Sequence, residues 1–430
     1  MTAAPGSLGR FVSDAAAAGE LVVQPRMGFG DTRRMRSGLA RTKGADATTV
    51  GTVTIDSYTR VGEFAAARAA LSEGVPLNGY PITVHPAAHT RALLDGLAGA
   101  AFPVQVRHGS SHPEAIIRAL AAAGLGATEG GPVSYCLPYG RTPLEVSIGN
   151  WARSCELLAS LVPASRTAHV ESFGGCMLGQ LCPPGLLVAL SLLECLFFTQ
   201  HGIRSVSLSY AQQTDAAQDE AAVRALRRLA AEFVPPDVDW HVVLYTYMGV
   251  FPSSEDGARR LSAASAHLAV RAGAARLIVK TPAEAHRIPT VGENVRALER
   301  AAHAATAARR QPSETTAVGS HEISGEVYAH ARAFVEATLA LSPDIGSALR
   351  TAFARGILDI SYCLHPDNAG RSRSFIDAAG RLCWSATGGM PVAPPPAHAR
   401  RAAMTSSELL GAVHHVARRF DTTASLTRAR

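Results

Sequence analysis

A (β/α)8 barrel with a smaller C-terminal α+β extension is the fold class this sequence predicts. Three observations predict it. Short apolar, β-like runs alternate with helix-period segments eight times before residue 312. Charged residues recur where those runs end, and strand C-terminal ends are where a barrel builds its site. No Gly-x-Gly-x-x-Gly follows a strand and no Gly-x-x-x-x-Gly-Lys occurs, so the competing topology, a doubly wound sheet, lacks its nucleotide fingerprints.

The elements follow in order. Strands are expected at residues 21–26, 50–56, 78–84, 104–108, 167–172, 205–210, 240–246 and 276–281. Helices are expected at 33–43, 63–72, 90–97, 114–123, 146–161, 215–233, 253–272 and 292–308. The apolar run 185–198 reads as a buried helix opened by Pro183 and Pro184, since proline is tolerated in a first turn. Val223, Leu226, Leu229 and Phe233 form one stripe of the 215–233 helix. Ser253-Ser254-Glu255-Asp256 reads as a capped helix start. Ser57-Tyr58-Thr59-Arg60 is an exit loop, and residues 130–141 are an inserted hairpin or loop. The barrel is assigned to residues 1–312 and the α+β unit to 313–390, with helices at 323–341 and 345–355. Residues 391–430 are a proline-rich linker and a last helix at 407–419.

Composition narrows the function. Hydrophobic residues make up 47% and charged residues 18%, which excludes a disordered chain. The net charge of +6 is mild for 430 residues, and basic clusters are confined to Arg33, Arg34 and Arg36 and to Arg400 and Arg401. That pattern does not favour nucleic acid. Seven cysteines without a Cys-x-x-Cys pair fit a reduced, cytoplasmic protein. Cys176 and Cys182 lack a histidine at ligand spacing and read as core residues, so no metal site is expected. The longest apolar run contains Ser191 and Glu194 and is too short to span a bilayer, so no membrane partner is expected either.

Arg26, Arg60 and Arg107 each close an early strand-like run. One arginine there commonly caps a strand or pairs with a surface carboxylate. Three at matching positions describe a pocket for a small dianion, because guanidinium forks hold carboxylates by paired hydrogen bonds. His108, Glu171, Met248 and Lys280 fall at other strand ends. Glu129 lies between glycines and two tyrosines, placed to meet an ammonium group or take a proton, or simply to face solvent. Tyr135 and Tyr139 are candidate donors to a carboxylate, or packing residues. Lys280 and Glu284 have the spacing of a helix-start ion pair. Asp239-Trp240-His241 begins like the Asp-x-His-x-x-Gly of cobalamin-binding chains, but Leu244 stands where glycine is needed.

At these residues the sequence resembles the large (epsilon) subunit of glutamate mutase, also called methylaspartate mutase. The segments that carry the resemblance include Gln24-Pro25-Arg26, Asp56-Ser57-Tyr58-Thr59-Arg60, Leu77-Asn78-Gly79-Tyr80-Pro81 and Arg107-His108-Gly109. Glu129-Gly130-Gly131, Glu171-Ser172-Phe173-Gly174, Tyr247-Met248-Gly249 and Lys280-Thr281-Pro282 followed by Glu284 continue it. The resemblance implies an isomerase that interconverts L-glutamate and (2S,3S)-3-methylaspartate by a radical route with adenosylcobalamin. It implies that a separate small cobalamin-binding (sigma) subunit sits over the barrel mouth, in a hetero-oligomer with a barrel–barrel dimer. Arg26, Arg60 and Arg107, with His108, would then grip substrate carboxylates. Glu129 would meet the amino group, and Tyr135, Tyr139 and Glu171 would complete the pocket. Asn78, Phe173 and Met248 would line the cofactor side, and Lys280 and Glu284 would hold the adenosyl ribose. Tyr247 stands where the family can have tryptophan, and Val170 where it can have arginine. These departures leave a glutamate analogue open as substrate. A cobalamin-independent enzyme and a non-catalytic binder of an acidic metabolite are the other readings of the arginine pocket.

Overall fold

Short runs in which apolar residues alternate with polar ones become strands buried on both faces, and here they close on themselves. A computed structural model of the chain describes residues 7–163, 166–174, 181–310, 318–396, 399 and 404–427. Eight parallel strands are β1 (Val22–Pro25), β2 (Gly51–Thr54), β3 (Val104–Arg107), β4 (Ala127–Glu129), β5 (His169–Glu171), β6 (Ser205–Ala211), β7 (Asp239–Tyr245) and β8 (Arg276–Val279). Their order is β1-β8-β7-β6-β5-β4-β3-β2. The β1/β2 seam is joined by a parallel bridge, Val23 to Thr49, and by the Thr54 N–H donating to the Met27 carbonyl at 2.9 Å. Helices between the strands cover the outside, as a right-handed β-α-β chain requires.

Two strand expectations fail, and the errors cancel in the count. Residues 78–84 do not form a strand. Tyr80 makes one bridge to Ile55, and then the chain turns, with the Val84 and His85 N–H groups both donating to the Pro81 carbonyl. Pro81 has no N–H to continue a ladder. The missing strand is β4, only three residues long, inside a stretch read as loop. Residues 132–139 are a series of turns, so no hairpin forms there. The expected exit loop after β2 is a short helix, Ser57–Val61, capped by Asp56 Oδ1 accepting from Tyr58 N–H at 2.9 Å and Thr59 N–H at 3.0 Å.

Below the barrel, helix Leu8–Ala17 packs Leu8, Val12 and Ala15 on Val22, Val50 and Ala127. Its Gly9 lies so near β7 that a Cβ would sit 2.0 Å from Asp239 Oδ2. Helix Pro184–Gln200 is buried from Pro184 through Thr199. Such a helix, apolar all round, needs cover on every side. Helix Val318–Leu339 supplies the outer cover, with Val327, Ala331, Phe334 and Val335 in the barrel's own core. Helix Ile345–Arg355 and the antiparallel pair β9 (Arg373–Ile376) and β10 (Leu382–Ala386) complete the C-terminal unit. Its expected boundary at 312 lies outside the described residues. Two helices, Ser406–Val413 and His415–Thr427, end the chain where one was expected. Cys182 is a buried free thiol, as expected; Cys176 lies outside the described residues. No described helix is long and apolar enough to cross a membrane.

Candidate active site at the barrel mouth

The C-terminal ends of β1 to β5 converge on one cavity of about 370 Å³. Arg26 follows β1, Arg60 rides the short helix after β2, and Arg107 is the last residue of β3; all three line the cavity. Glu129 ends β4 and lines it too. His108, Tyr135, Tyr139, Asn78, Phe173 and Met248 form the remaining expected wall. Cations separated by tens of residues are brought together because each lies at or just beyond the C-terminal end of its strand, on the same rim of the barrel.

The arginines are not equivalent. Arg107 is buried and pairs with both Glu129 and Glu171, the latter at 3.3 Å. Its guanidinium also lies 5.1 Å over the Tyr245 ring. Arg26 is half-exposed and pairs with Glu284 at 2.9 Å. Arg60 is exposed, and among the described residues no carboxylate pairs with it. Gly109 leaves room for its stem, since a Cβ there would sit 2.8 Å from Arg60 Cδ. Glu129, Glu171 and Glu284 thus supply anions for two of the three arginines, and no described side chain supplies one for the third.

Glu129 and Glu171 are partners across the β4–β5 ladder. Two carboxylates side by side in a buried site do not ionise alike. Burial pushes Glu129 up to about 7, against Arg107, while the Glu171 charge adds to the rise. The Tyr135 hydroxyl donates to Glu129 at 2.5 Å and the Tyr245 hydroxyl at 3.3 Å. Burial also opposes the Glu171 charge, but Arg276 and Arg107 outweigh it and hold that carboxyl down near 2. Glu171 is fully buried and absent from the cavity wall, so it faces the barrel floor.

His108 presents a prepared donor. Its Nδ1 accepts the Ser110 N–H at 3.1 Å, which leaves the proton of the neutral ring on Nε2. Burial and Arg107 push the ring down to about 3, so it stays neutral. Among the described residues Nε2 has no partner, nor do Thr54 Oγ1 and Asp56 Oδ2 on the same wall. Buried polar atoms without partners are uncommon, and three around one cavity mark a place for a polar ligand.

Other expected residues fall elsewhere. Glu284 pairs with Arg26 and accepts the Thr281 N–H at 3.1 Å, so the expected Lys280–Glu284 pair is replaced by a pair with the end of the neighbouring strand β1. Lys280 stands 4.3 Å over the Phe251 ring and lines a neighbouring cavity of about 290 Å³. Tyr135 donates to Glu129, and Tyr139 is exposed at the rim. The Asp239-Trp240-His241 triplet lies in β7, where His241 stacks on His169 and its Nε2 accepts from Arg276 Nε at 3.3 Å. Neither Tyr247 nor Val170 lines the cavity: Tyr247 packs with Phe251 and Leu261, and Val170 points away from the barrel interior that Glu171 occupies.

Sequence reading missed three contributors. Arg276, fully buried, ion-pairs with Glu171 and donates to Gln24, Gln105, Ser207 and His241. Tyr245 donates to Glu171 as well as to Glu129. Glu194, in the apolar helix, accepts the Val133 N–H at 2.9 Å and the Ser134 N–H at 2.8 Å, and so fixes the turns that carry Tyr135. A Cβ on Gly131 would sit 2.1 Å from its Oε1. Burial pushes Glu194 up to about 7 against those backbone donors. The one available signal was a carboxylate in an otherwise apolar run.

The family model described as methylaspartate mutase E chain matches residues 5–407. The glutamate mutase epsilon subunit of Escherichia coli O157:H7 is 29% identical over 353 residues, covering 79% of this chain and 72% of that protein. That of Desulfitobacterium hafniense (strain Y51) is 30% identical over 352 residues, covering 79% and 71%. That of Halobacterium salinarum is 34% identical over 251 residues, covering 57% and 52%.

Proposed function

The chain belongs to the methylaspartate mutase E chain family, and on that premise we propose that it is the substrate-binding subunit of an adenosylcobalamin-dependent mutase. The reaction is the interconversion of L-glutamate and (2S,3S)-3-methylaspartate by radical rearrangement. The observation that carries this reading is the meeting of Arg26, Arg60 and Arg107 with Glu129 in one cavity. Charge supports it. The charged residues that line the cavity are Arg26, Arg60 and Arg107 against Asp56 and Glu129, three cations and two carboxylates, a net +1 when both carboxylates are ionised. An amino dicarboxylate carries two carboxylates and one ammonium, a net −1, and neutralises the site.

Arg60 and Arg26 hold one carboxylate at the open side. Arg107 and the His108 Nε2–H hold the other at the inner wall. The ammonium of the substrate meets Glu129 and draws it into its ionised form. Tyr135, already bound to Glu129, fixes the direction of that carboxylate. The clamp keeps the substrate and any fragments of it in register, and the buried wall excludes water.

The residues at the mouth fit the cofactor. Phe173 and Met248 give the cavity an apolar flank, Asn78 a polar one, and Lys280 and Glu284 stand at the end of β8. When bound, adenosylcobalamin supplies the radical that removes a substrate hydrogen. No Asp-x-His-x-x-Gly occurs in the chain, and His241 is built into the barrel interior. On the mutase reading, a separate cobalamin-binding chain over the mouth completes the enzyme in a hetero-oligomer.

The test mixes the chain with a cobalamin-binding subunit, adenosylcobalamin and L-glutamate, and records the electron paramagnetic resonance spectrum. An organic radical coupled to cob(II)alamin is expected. Turnover of glutamate without cobalamin would instead establish a lyase or other enzyme using the same pocket, and binding without turnover a non-catalytic receptor.

A further inference from the structure

We propose that the C-terminal helix His415–Thr427 is a strap that positions the β7–β8 side of the mouth, and that Asp421 is the positioning residue that fastens it. The family match ends at residue 407, so the strap lies beyond it. Asp421 accepts four hydrogen bonds from two consecutive residues. Ser253 gives its N–H at 3.0 Å and its hydroxyl at 2.8 Å; Ser254 gives its N–H at 3.0 Å and its hydroxyl at 2.5 Å. Ser254 Oγ in turn caps helix Glu255–Ala272 by accepting the Gly257 N–H at 3.1 Å. Gly257 is open for this purpose, since a Cβ there would sit 2.7 Å from Asp421 Oδ1. The carboxylate thus also meets the positive end of that helix.

Further contacts make the strap continuous. Arg419 donates to the Thr214 carbonyl beyond β6 at 2.9 Å, and Arg260 donates to the Phe420 carbonyl. Val416 and Phe420 pack with Tyr247, Phe251, Ala258 and Leu261. Residues 246–254 carry no regular structure of their own, yet they present Met248 to the cavity and Phe251 to Lys280. A segment of that kind is loose unless something outside it supplies partners. Here the strap supplies them. The hydrogen bonds from the two serines hold the Asp421 carboxyl below its ordinary range against partial burial. The consequence for catalysis rests on the mutase reading: the strap acts on the cofactor side of the mouth and not on the arginine clamp.

The experiment uses the full chain with Asp421→Ala and Asp421→Asn. Hydrogen exchange by mass spectrometry, on the chain alone, is expected to quicken about tenfold at residues 247–257 in D421A and to leave β3 and β4 unchanged; D421N, which keeps one acceptor oxygen, lies between. With the cobalamin-binding subunit added, D421A is expected to weaken the apparent affinity for adenosylcobalamin about fivefold while the KM for glutamate stays within about twofold. Unchanged exchange at 247–257 overturns the strap. Equal shifts for glutamate and cofactor overturn its restriction to the cofactor side. Faster local exchange in D421A, in a chain whose parent shows no response to adenosylcobalamin, overturns the mutase reading and leaves the strap standing.

Discussion

Two polar layers stack inside this barrel, and they differ in where their partners are. In the floor, the partners are on the chain. Gln24 Nε2 donates to Gln105 Oε1 at 2.8 Å and to Thr52 Oγ1 at 2.9 Å; Gln105 Nε2 and the Ser207 hydroxyl each donate to Glu171 at 3.2 Å. His169 engages Ser205 at 2.8 Å and Ser207 at 2.9 Å. In that group only His241 Nδ1 lacks a partner among the described residues. At the mouth, Arg60 has no carboxylate, and His108 Nε2, Thr54 Oγ1 and Asp56 Oδ2 have no partner among the described residues. The filled layer serves as scaffold, and the unfilled layer is the one the proposed function reads as the receptor. Arg107 joins them, since it reaches Glu171 below and lines the cavity above.

Substitutions at each layer break or sharpen that contrast. Arg276→Met strands Glu171 in the floor and is expected to cost about 4 kcal/mol of stability, read from denaturant unfolding. Arg60→Ala is expected to leave stability within about 0.5 kcal/mol yet to lower kcat/KM for glutamate about a hundredfold, because it removes charged hydrogen bonds made only to ligand. Arg107→Ala belongs to both classes: it abolishes turnover and also destabilises, because Glu129 and Glu171 lose their shared cation.

The pH dependence sharpens the mouth further. Glu129 is raised to about 7 in the free chain, so it is protonated below that pH, and a protonated carboxyl cannot pair with ammonium. kcat/KM is expected to fall about tenfold per pH unit on the acid side of neutrality. Glu129→Gln is expected to be weak and flat across the same range. The smallest effect concerns the turns behind Tyr135. Glu194→Gln keeps one acceptor oxygen for Val133 and Ser134 and is expected to lower kcat about fivefold; Glu194→Ala lowers it further and loosens residues 132–139 in hydrogen exchange.

The convergence of the three arginines was legible in the sequence because a barrel repeats its geometry. A cation at the end of an apolar run is at the mouth, whichever run it ends. The floor was not legible. Arg276 opens a strand, where a cation ordinarily reaches solvent, and only the closed barrel turns that position inward against Glu171. β4 escaped notice because three residues show no period, and residues 78–84 passed for a strand because their apolar side chains hid a turn at Pro81. The pairing of Glu284 with Arg26 joins β8 to β1, a neighbour relation that exists only once the sheet closes.

Bound L-glutamate, located in a crystal of the chain with its cobalamin-binding partner, tests the receptor layer most directly. One carboxylate is expected on Arg60 and Arg26, the other on Arg107 and His108 Nε2, with the ammonium on Glu129 and the floor unmoved. Glutamate bound on another face, or held in the cavity with Arg60 turned to solvent, would contradict it.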